Sequence, residues 1–265
     1  MMTIQSVDRA LQILSLFSYR RPLLGISEIS RALKLTKPTV HGLVRTLVSQ
    51  GFLHQDFHTR KYRLGLKIYE LGIVLAGTLE INQKATGPVH NLAKKTHFIS
   101  RVAIWDGDSM VTTLIAYPQR THMAFPYQIG PRAYPHSSAI GKAVLAFLGN
   151  QELKDYLNRT KFFKITPSTI TNKKRLVIDL KMTRERGYSI DNEENMQGLG
   201  CIGAPIFEQK GSVIYSISLS GDPNILLGDK MEYFATELKK TASEISQYMG
   251  YFPSVMDEEY PKKAS

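Results

Sequence analysis

The sequence lacks several features that define common classes of protein. Cys201 is the single cysteine in 265 residues, so no disulfide can form within the chain and a reducing cytoplasm is the expected compartment. No stretch approaches the run of about 18 apolar residues that a transmembrane helix needs. The first ten residues include Asp8 and Arg9 and do not resemble a signal peptide. We therefore expect a cytoplasmic protein with no membrane partner.

Acidic residues are scarce relative to basic ones. The chain has 34 Lys and Arg against 23 Asp and Glu, a formal net charge of +11. Residues 1–62 alone hold nine basic and three acidic residues, a net of +6, whereas the remaining 203 residues carry +5. Positive charge concentrated in this way favours a polyanionic partner, nucleic acid above all and an anionic membrane less often. The alternative at this point is a protein whose high pI has no specific meaning.

The composition is otherwise that of a folded protein. Hydrophobic residues make up 43% of the chain and charged residues 22%, which excludes a disordered polypeptide. A length of 265 residues predicts one small and one medium domain.

The first sixty residues have the pattern helix, helix, turn, helix. Apolar residues at helical spacing predict three helices, for which Ser6, Ser27 and Thr36 are the candidate N-caps. Pro38 falls in the first turn of the third helix, where its missing N–H does no harm. Gly51 is expected to end this helix.

The third predicted helix has an outward face of short polar and basic residues: Lys37, Thr39, His41, Gly42 and Arg45. A recognition helix uses such side chains near its N-terminus to contact base edges and phosphates in the major groove. The alternative is an ordinary solvated helix.

Two short predicted strands, at 52–54 and 61–64, follow this helix and complete a winged helix-turn-helix. Arg60 and Lys61 lie near the tip of the wing, so we expect them to contact the phosphate backbone or the adjacent minor groove. Residues 65–78 are apolar with few charges and predict a linker helix that buries one face against a partner subunit.

The remaining two hundred residues predict a mixed α+β domain. An Asp106–Asp108 turn joins two strands, and Ser137 or Ser138 is expected to cap a helix whose first N–H groups would suit a carboxylate or phosphate. The other predicted elements are a helix from 79 to 95, a helix from 176 to 186, a strand at 188–191, a loop and strand over 198–207, a strand at 213–220 and a closing helix from 231 to 249.

Five stretches, in this order and spacing, resemble the isocitrate lyase regulator (IclR) family of bacterial transcription factors, and the similarity covers roughly residues 6–250. They are Ser6–Leu14, Lys37–His41, His136–Ala143, Arg184–Asp191 and Gly198–Ile202. The resemblance implies a winged helix-turn-helix domain over residues 1–64, a linker helix over 65–78 and a GAF-like effector-binding domain over 79–252. Residues 253–265 are polar and predict a disordered tail.

The resemblance also implies a function and its residues. The chain would be a ligand-responsive regulator and not an enzyme, would need no cofactor, and would bind a palindromic operator as a homodimer or homotetramer. Its effector would be a small organic acid, aliphatic or aromatic. The DNA-binding residues would be Lys37, Thr39, His41, Arg45, Arg60 and Lys61. The effector-binding residues would be His122, Phe125, Ala139, Ile140, Asp191, Leu199, Cys201, Ser218 and Ser220.

These effector-binding residues have roles that make chemical sense. The helix N-terminus at Ala139 would hold the ligand carboxylate, while Asp191 and the serines would supply hydrogen bonds. The apolar residues would enclose the carbon skeleton. One departure concerns the operator: where the family often has an arginine, this chain has Gly42.

Other interpretations use the same residues. Cys201 and His136 could form a nucleophile and base, although the sequence shows nothing to orient them. His136, Asp191, Glu193 and Glu194 could hold a metal, although their spacing matches no known pattern. Residues 191–194 could also be a solvated acidic loop, and residues 172–175 are expected to start a helix in solvent instead of forming a second nucleic-acid site. The competing classes are an enzyme with a basic N-terminal domain and an architectural protein that senses nothing.

Overall fold

The computed structural model describes residues 3–119 and 132–252. The chain divides between Thr78 and Leu79 into two compact units, here called the N-terminal and C-terminal units. The predicted effector residues His122 and Phe125 and the predicted tail, residues 253–265, lie outside the described residues.

The N-terminal unit contains helices and a two-stranded antiparallel sheet. Its elements are α1 (Gln5–Ser15), α2 (Ile26–Leu33), α3 (Lys37–Ser49), β1 (Leu53–Gln55), β2 (Tyr62–Leu64) and α4 (Leu66–Thr78). Its hydrophobic core includes Ile13 from α1, Ile29 from α2, and Val40 and Val44 from α3. The four-residue spacing of Val40 and Val44 places both on the buried side of α3.

The third helix begins and ends as the sequence predicts. Thr36 is the N-cap of α3, and its hydroxyl accepts the Thr39 N–H at 3.4 Å. Gly51 follows the end of α3 with φ 74°, a left-handed conformation that glycine adopts without strain.

The predicted caps of the first two helices are wrong. Helix α1 begins at Gln5, ahead of Ser6, and has no side-chain cap. Helix α2 begins after Gly25, so Ser27 lies inside its first turn. The Gly25 N–H donates to the Glu28 carboxylate at 2.8 Å, and this contact satisfies the start of the helix in place of a serine hydroxyl.

The C-terminal unit is an antiparallel sheet with helices on both faces. Its strands are β3 (Ile99–Trp105), β4 (Met110–Ala116), β5 (Ser189–Asn192), β6 (Gly200–Ile206) and β7 (Tyr215–Gly221), in the order β4-β3-β7-β6-β5. Its helices are α5 (Glu80–Thr96), α6 (Ala139–Leu145), α7 (Asn150–Arg159), α8 (Lys173–Arg186), α9 (Pro223–Leu226) and α10 (Met231–Tyr248). Helices α7 and α9 are absent from the prediction.

The two faces of this sheet differ in chemistry. One face carries apolar residues such as Val102, Ile202 and Ile217, which form a hydrophobic core with α5 and α10. The other face carries small and polar residues, and α6 packs on it. The alternation of side chains along each strand separates the two sets.

Helix α6 is held against the polar face of the sheet by short contacts. Ser189 donates to the Ala139 carbonyl at 2.6 Å, and Ser216 donates to the Ile140 carbonyl at 2.9 Å. A Cβ on Gly203 would lie 2.6 Å from the Ala139 carbonyl oxygen, so only glycine allows this approach. The sheet therefore fixes the position of the first turn of α6.

None of the helices within residues 3–119 and 132–252 combines the length and apolarity needed to cross a bilayer.

Candidate nucleic-acid and effector sites

Helix α3 presents a basic face to solvent. Val40 and Val44 are buried on its inner side, whereas Lys37, His41 and Arg45 are exposed. A spacing of four residues brings these three side chains onto one face of a helix. The surface can therefore approach a polyanion without any rearrangement of the core.

Two other positions of α3 differ in their surroundings. Thr39 is half-buried, and its hydroxyl lies 2.9 Å from the Thr36 hydroxyl, so it also closes the first turn of the helix. A Cβ at Gly42 would meet no atom within 4 Å, so packing does not require glycine there.

The turn between β1 and β2 holds Arg60 and Lys61 in different environments. Arg60 is exposed and has φ 57°. The Lys61 ammonium lies 3.2 Å from the Glu28 carboxylate and so joins the wing to α2. The pKa of Glu28 is lowered mainly by the hydrogen bond from the Gly25 N–H and also by Lys61. Arg60 is thus the more available of the two cations.

The N-terminal unit also exposes apolar surface. Leu66, Tyr69, Val74 and Leu75 of α4 are each at least 60% exposed, and α4 has no buried residue. A groove of about 450 Å³ lies between α1 and α3 and is lined mainly by apolar side chains, including Leu11. Exposed apolar area of this extent is characteristic of a surface that binds another protein.

In the C-terminal unit, the polar sheet face brings together most of the predicted effector residues that the structure describes. Ala139, Leu199 and Cys201 form a small buried cluster. In the sheet register Cys201 lies opposite Asp191 on one side and opposite Ser220 on the other.

Two further predicted residues are placed differently from this cluster. Ser218 is fully buried on the same face, two residues before Ser220. Ile140 instead packs into a separate core with Val144 and Tyr156. Its side chain therefore belongs to the packing of α6 and not to the cluster around Cys201.

Asp191 is buried and already accepts hydrogen bonds. One of its carboxylate oxygens accepts the N–H groups of Glu194 at 2.7 Å and Asn195 at 3.3 Å. Burial raises the pKa of Asp191 to about 7, although Lys142 lowers it. Asp191 therefore shapes the loop that leads to Leu199 as well as facing the cluster.

Lys142, a residue that the sequence analysis missed, is fully buried on α6. Its ammonium lies 2.6 Å from the Glu194 carboxylate and 3.1 Å from that of Asp179 on α8. The hypothesis that residues 191–194 form a solvated loop is wrong, because Asp191 and Glu194 are buried and Glu194 is paired. The one signal was a single basic residue inside an otherwise apolar helical segment.

Arg101 on β3 is the second residue that the sequence analysis missed. One terminal nitrogen of its guanidinium donates to the Ser220 hydroxyl at 2.7 Å and lies 3.7 Å from the Cys201 sulfur. The signal was available, since Arg101 interrupts a predicted strand of mainly apolar residues.

The geometry does not favour the nucleophile hypothesis. Burial raises the pKa of the Cys201 thiol to about 12, so the reactive thiolate is suppressed. His136 lies 3.2 Å from the Phe163 carbonyl through Nε2, and burial lowers its pKa. Within the described parts of the chain, no group of three or more His, Cys, Asp or Glu side chains could hold a metal ion. The prediction that Asn172 starts a helix in solvent is confirmed, because it caps α8.

Comparisons with known proteins agree with this architecture. Residues 6–56 match the model of the IclR helix-turn-helix domain, and residues 74–247 match the model of the bacterial transcriptional regulator IclR C-terminal domain. The chain belongs to the IclR family. The resemblance drawn from the five sequence stretches is confirmed, and so is the predicted α+β fold class.

The relatives of this IclR-family protein are transcriptional regulators. The chain is 36% identical to the HTH-type transcriptional regulator XynR of Escherichia coli over 94% of its own length and 98% of that protein. It is 31% identical to the regulator KdgR of Dickeya chrysanthemi, over 94% and 81%. The crystal structure of Thermotoga maritima IclR matches with a TM-score of 0.75 at 28% identity, over 94% of this chain and all of that one. The protein is a DNA-binding transcriptional regulator of the IclR type.

Proposed function

We propose that this regulator binds a palindromic operator as a dimer or tetramer, and that a small organic acid held in the C-terminal unit changes its affinity for that operator. The observation that carries the sensing part is Ser218. Its hydroxyl is fully buried on the polar sheet face and has no hydrogen-bond partner among the described residues. Buried polar groups are nearly always hydrogen-bonded, so this hydroxyl is ready for a ligand oxygen.

The DNA-binding part of the proposal assigns base contacts to α3 and backbone contacts to the wing. Lys37, His41 and Arg45 face solvent on one side of α3 and would enter the major groove, with Thr39 at the start of the helix. Arg60 and Lys61 would contact phosphates.

The proposed dimer rests on the exposed apolar surface of α4 and on the groove between α1 and α3. A second copy of the chain fits such a surface, because a two-fold symmetric pair buries the same patch on both subunits. It would also place two recognition helices on two half-sites, which a palindrome requires.

In the proposed effector site, the apolar wall would consist of Ala139, Leu199 and Cys201. The hydrogen bonds to the ligand would come from Asp191, Ser218 and Ser220. Ile140 would contribute through the first turn of α6. His122 and Phe125 remain assigned by the family resemblance.

Operator binding tests the DNA part of the proposal. Arg45→Ala should weaken binding to a mapped operator by about 1–3 kcal/mol if Arg45 reads a base. Lys210→Ala removes one exposed positive charge from the C-terminal unit and serves as the control. Affinity would be measured by fluorescence anisotropy at fixed salt. Equal operator affinities for the two variants would show that Arg45 does not contribute to DNA binding.

A thermal-shift screen with small aliphatic and aromatic carboxylates tests the sensing part. A ligand that binds the folded state alone raises the melting temperature by mass action. Compounds that give a shift would then be added to the operator assay. Ala139→Leu should abolish the response to the ligand while leaving operator binding intact, because the larger side chain would occupy the space in which the ligand binds. No shift with any acid would contradict the proposed effector class.

A further inference from the structure

We infer that Phe57, in the turn at the tip of the wing, enters the minor groove of the operator and makes an apolar contact with it. This contact would be added to an interface in which the wing otherwise binds phosphates, so it rests on the DNA-binding part of the proposed function. It would make Phe57 a residue that senses the shape and the base edges of the minor groove.

Phe57 is exposed to solvent although it is large and apolar. Its relative exposure of 80% is the highest of any large hydrophobic residue in the described parts of the chain. Its ring meets the ring of the neighbouring His58 edge-on, with the centroids 5.6 Å apart. The core of the N-terminal unit, which includes Leu53 and Tyr62 from the two wing strands, does not include Phe57. Packing in the folded unit therefore gives no reason for an aromatic residue at this position.

Hydrogen bonds within the wing stabilise the turn that carries Phe57. The Asp56 carboxylate accepts the N–H and the hydroxyl of Thr59, both at 2.7 Å. The Asp56 N–H donates to the Lys61 carbonyl at 2.8 Å, and the Arg60 N–H donates to the Asp56 carbonyl at 3.0 Å. Because the turn is already ordered, placing the Phe57 ring against a partner costs little conformational entropy.

The charges around Phe57 favour DNA as the partner. Residues 55–63 contain three basic residues and one acidic residue, and two of the cations, Arg60 and Arg63, are exposed. The acidic residue, Asp56, is the one whose carboxylate is hydrogen-bonded to Thr59. Exposed cations beside an aromatic ring suit a nucleic acid, because the cations can contact phosphates while the ring lies against the sugars and base edges. The same charges would repel a second copy of this surface.

The position of the wing favours the minor groove. Leu53 of β1 packs in the same core as Val40 and Val44 of α3, so the wing and the recognition helix belong to one packed unit. With α3 in the major groove, the wing would meet the DNA beside it. Apolar side chains such as phenylalanine act as wedges in the minor groove, which is roughly 6 Å wide and admits a single flat ring.

The first test measures operator affinity against salt concentration for full-length protein by fluorescence anisotropy. The variants are Phe57→Ala, which removes the ring, and Phe57→Leu, which keeps an apolar side chain. Phe252→Ala is the matched control, because it removes a ring that is 74% exposed in the C-terminal unit. The melting temperature should be the same for F57A and the unmodified protein, since the Phe57 ring is exposed.

We expect F57A to bind the operator about tenfold more weakly, the effect of losing one buried apolar side chain. The slope of log affinity against log salt should not change, because no phosphate contact is lost. F57L should be intermediate, and F252A should bind like the unmodified protein. Unchanged affinity in F57A would overturn the inference, and so would an affinity loss equal to that of F252A.

The second test places the contact in a groove and uses two operator duplexes whose base pairs beside each half-site are all A·T. In one of them 2,6-diaminopurine replaces adenine at those pairs, which adds an amino group to the minor-groove edge and leaves the major-groove edge unchanged. The unmodified protein should bind the substituted duplex several-fold more weakly, whereas F57A should bind the two duplexes equally. Equal binding of both duplexes by the unmodified protein would overturn the placement in the minor groove.

Arg60→Ala separates failure of this inference from failure of the proposed DNA interface. If R60A lowers the salt slope and F57A binds normally, the wing contacts phosphates and Phe57 lies outside the groove, which overturns the role of Phe57 alone. If neither variant changes operator binding, the wing does not contact DNA, and both the proposed wing contacts and the role of Phe57 are overturned.

Discussion

The two units of this regulator differ in whether their polar and charged side chains are exposed or buried. Among the described residues, every buried polar or charged residue belongs to the C-terminal unit, including Lys142, Asp191 and Glu194. The buried core of the N-terminal unit is hydrophobic, and its charged residues lie at the surface. A polyanion binds a charged exterior, whereas a small molecule is recognised by polar groups inside an apolar enclosure.

DNA binding and ligand response should therefore depend on different kinds of interaction. Surface substitutions in the N-terminal unit should change DNA affinity with little effect on folding. Substitutions in the polar interior of the C-terminal unit should change stability and ligand response together, because buried polar groups are costly when they lose a partner.

The largest effect is expected from Lys142→Met, which keeps most of the side-chain volume and removes the buried charge. Glu194 and Asp179 would then lose the ammonium that lies near both of them. Breaking a buried pair by removing one partner typically costs about 3–5 kcal/mol. The free energy of unfolding would be measured by urea denaturation.

Lys181→Met is the matched control for this prediction, because Lys181 forms an exposed pair with Glu185 at 3.9 Å. It should change stability by less than about 1 kcal/mol. If the two variants were equally stable, the buried ion pairs of Lys142 would not contribute to the stability of the C-terminal unit.

A smaller effect is expected from Asp191→Asn, and it depends on pH. Burial raises the pKa of Asp191 in the folded state to about 7, above its ordinary value of 3.8. Between pH 3.8 and about pH 7, Asp191 is ionised in the unfolded chain but still protonated in the folded protein. Its protonated form therefore contributes to stability below about pH 4, and this contribution is lost as the pH rises through 7. The asparagine side chain of the variant does not titrate, so the variant does not lose stability in this way as the pH rises.

The difference in melting temperature between Asp191→Asn and the unmodified protein should therefore rise in favour of the variant from pH 4 to pH 7. Differential scanning fluorimetry across this range measures it. Asp155→Asn, which changes an exposed carboxylate on α7, is the control and should give a flat difference. If the difference between Asp191→Asn and the unmodified protein did not change with pH, Asp191 would not have a raised pKa in the folded state.

The smallest effect is expected at the surface of the wing. Arg60→Ala should weaken DNA binding evenly across sequences and reduce the slope of log affinity against log salt by about 1. Lys61→Ala should reduce it less, because its ammonium is already paired with Glu28. A loss at Arg60 that varied with operator sequence would instead indicate base reading by the wing.

Local sequence patterns predicted helix α3 more accurately than the contacts on the polar face of the C-terminal sheet. Thr36, Pro38 and Gly51 act within a few residues of where they stand, so local rules located α3 correctly. The same rules failed at α2, because the Glu28 carboxylate three residues along the chain replaced a serine as the cap. Local signals compete with each other, and only the structure shows which contact forms.

The polar face of the C-terminal sheet brings together residues from distant parts of the sequence. The family resemblance supplied Asp191, Cys201 and Ser220, whereas Arg101 and Lys142 were identified only when strand pairing and helix packing were known. Arg101 meets Ser220 across 119 positions, and Lys142 meets Glu194 across 52. No local pattern can report contacts at such separations.

Three properties can be predicted from the sequence alone: the basic N-terminal region, the order of most helices and strands, and the residues of α3 that face solvent. These properties follow from composition and from periodicity, which depend on neighbouring residues. The folded structure is needed to know which polar side chains are buried and which partners they have, including the guanidinium of Arg101 beside Ser220 and the ammonium of Lys142 beside Glu194. Burial and pairing depend on sheet register and helix packing, which join residues that are far apart in the chain.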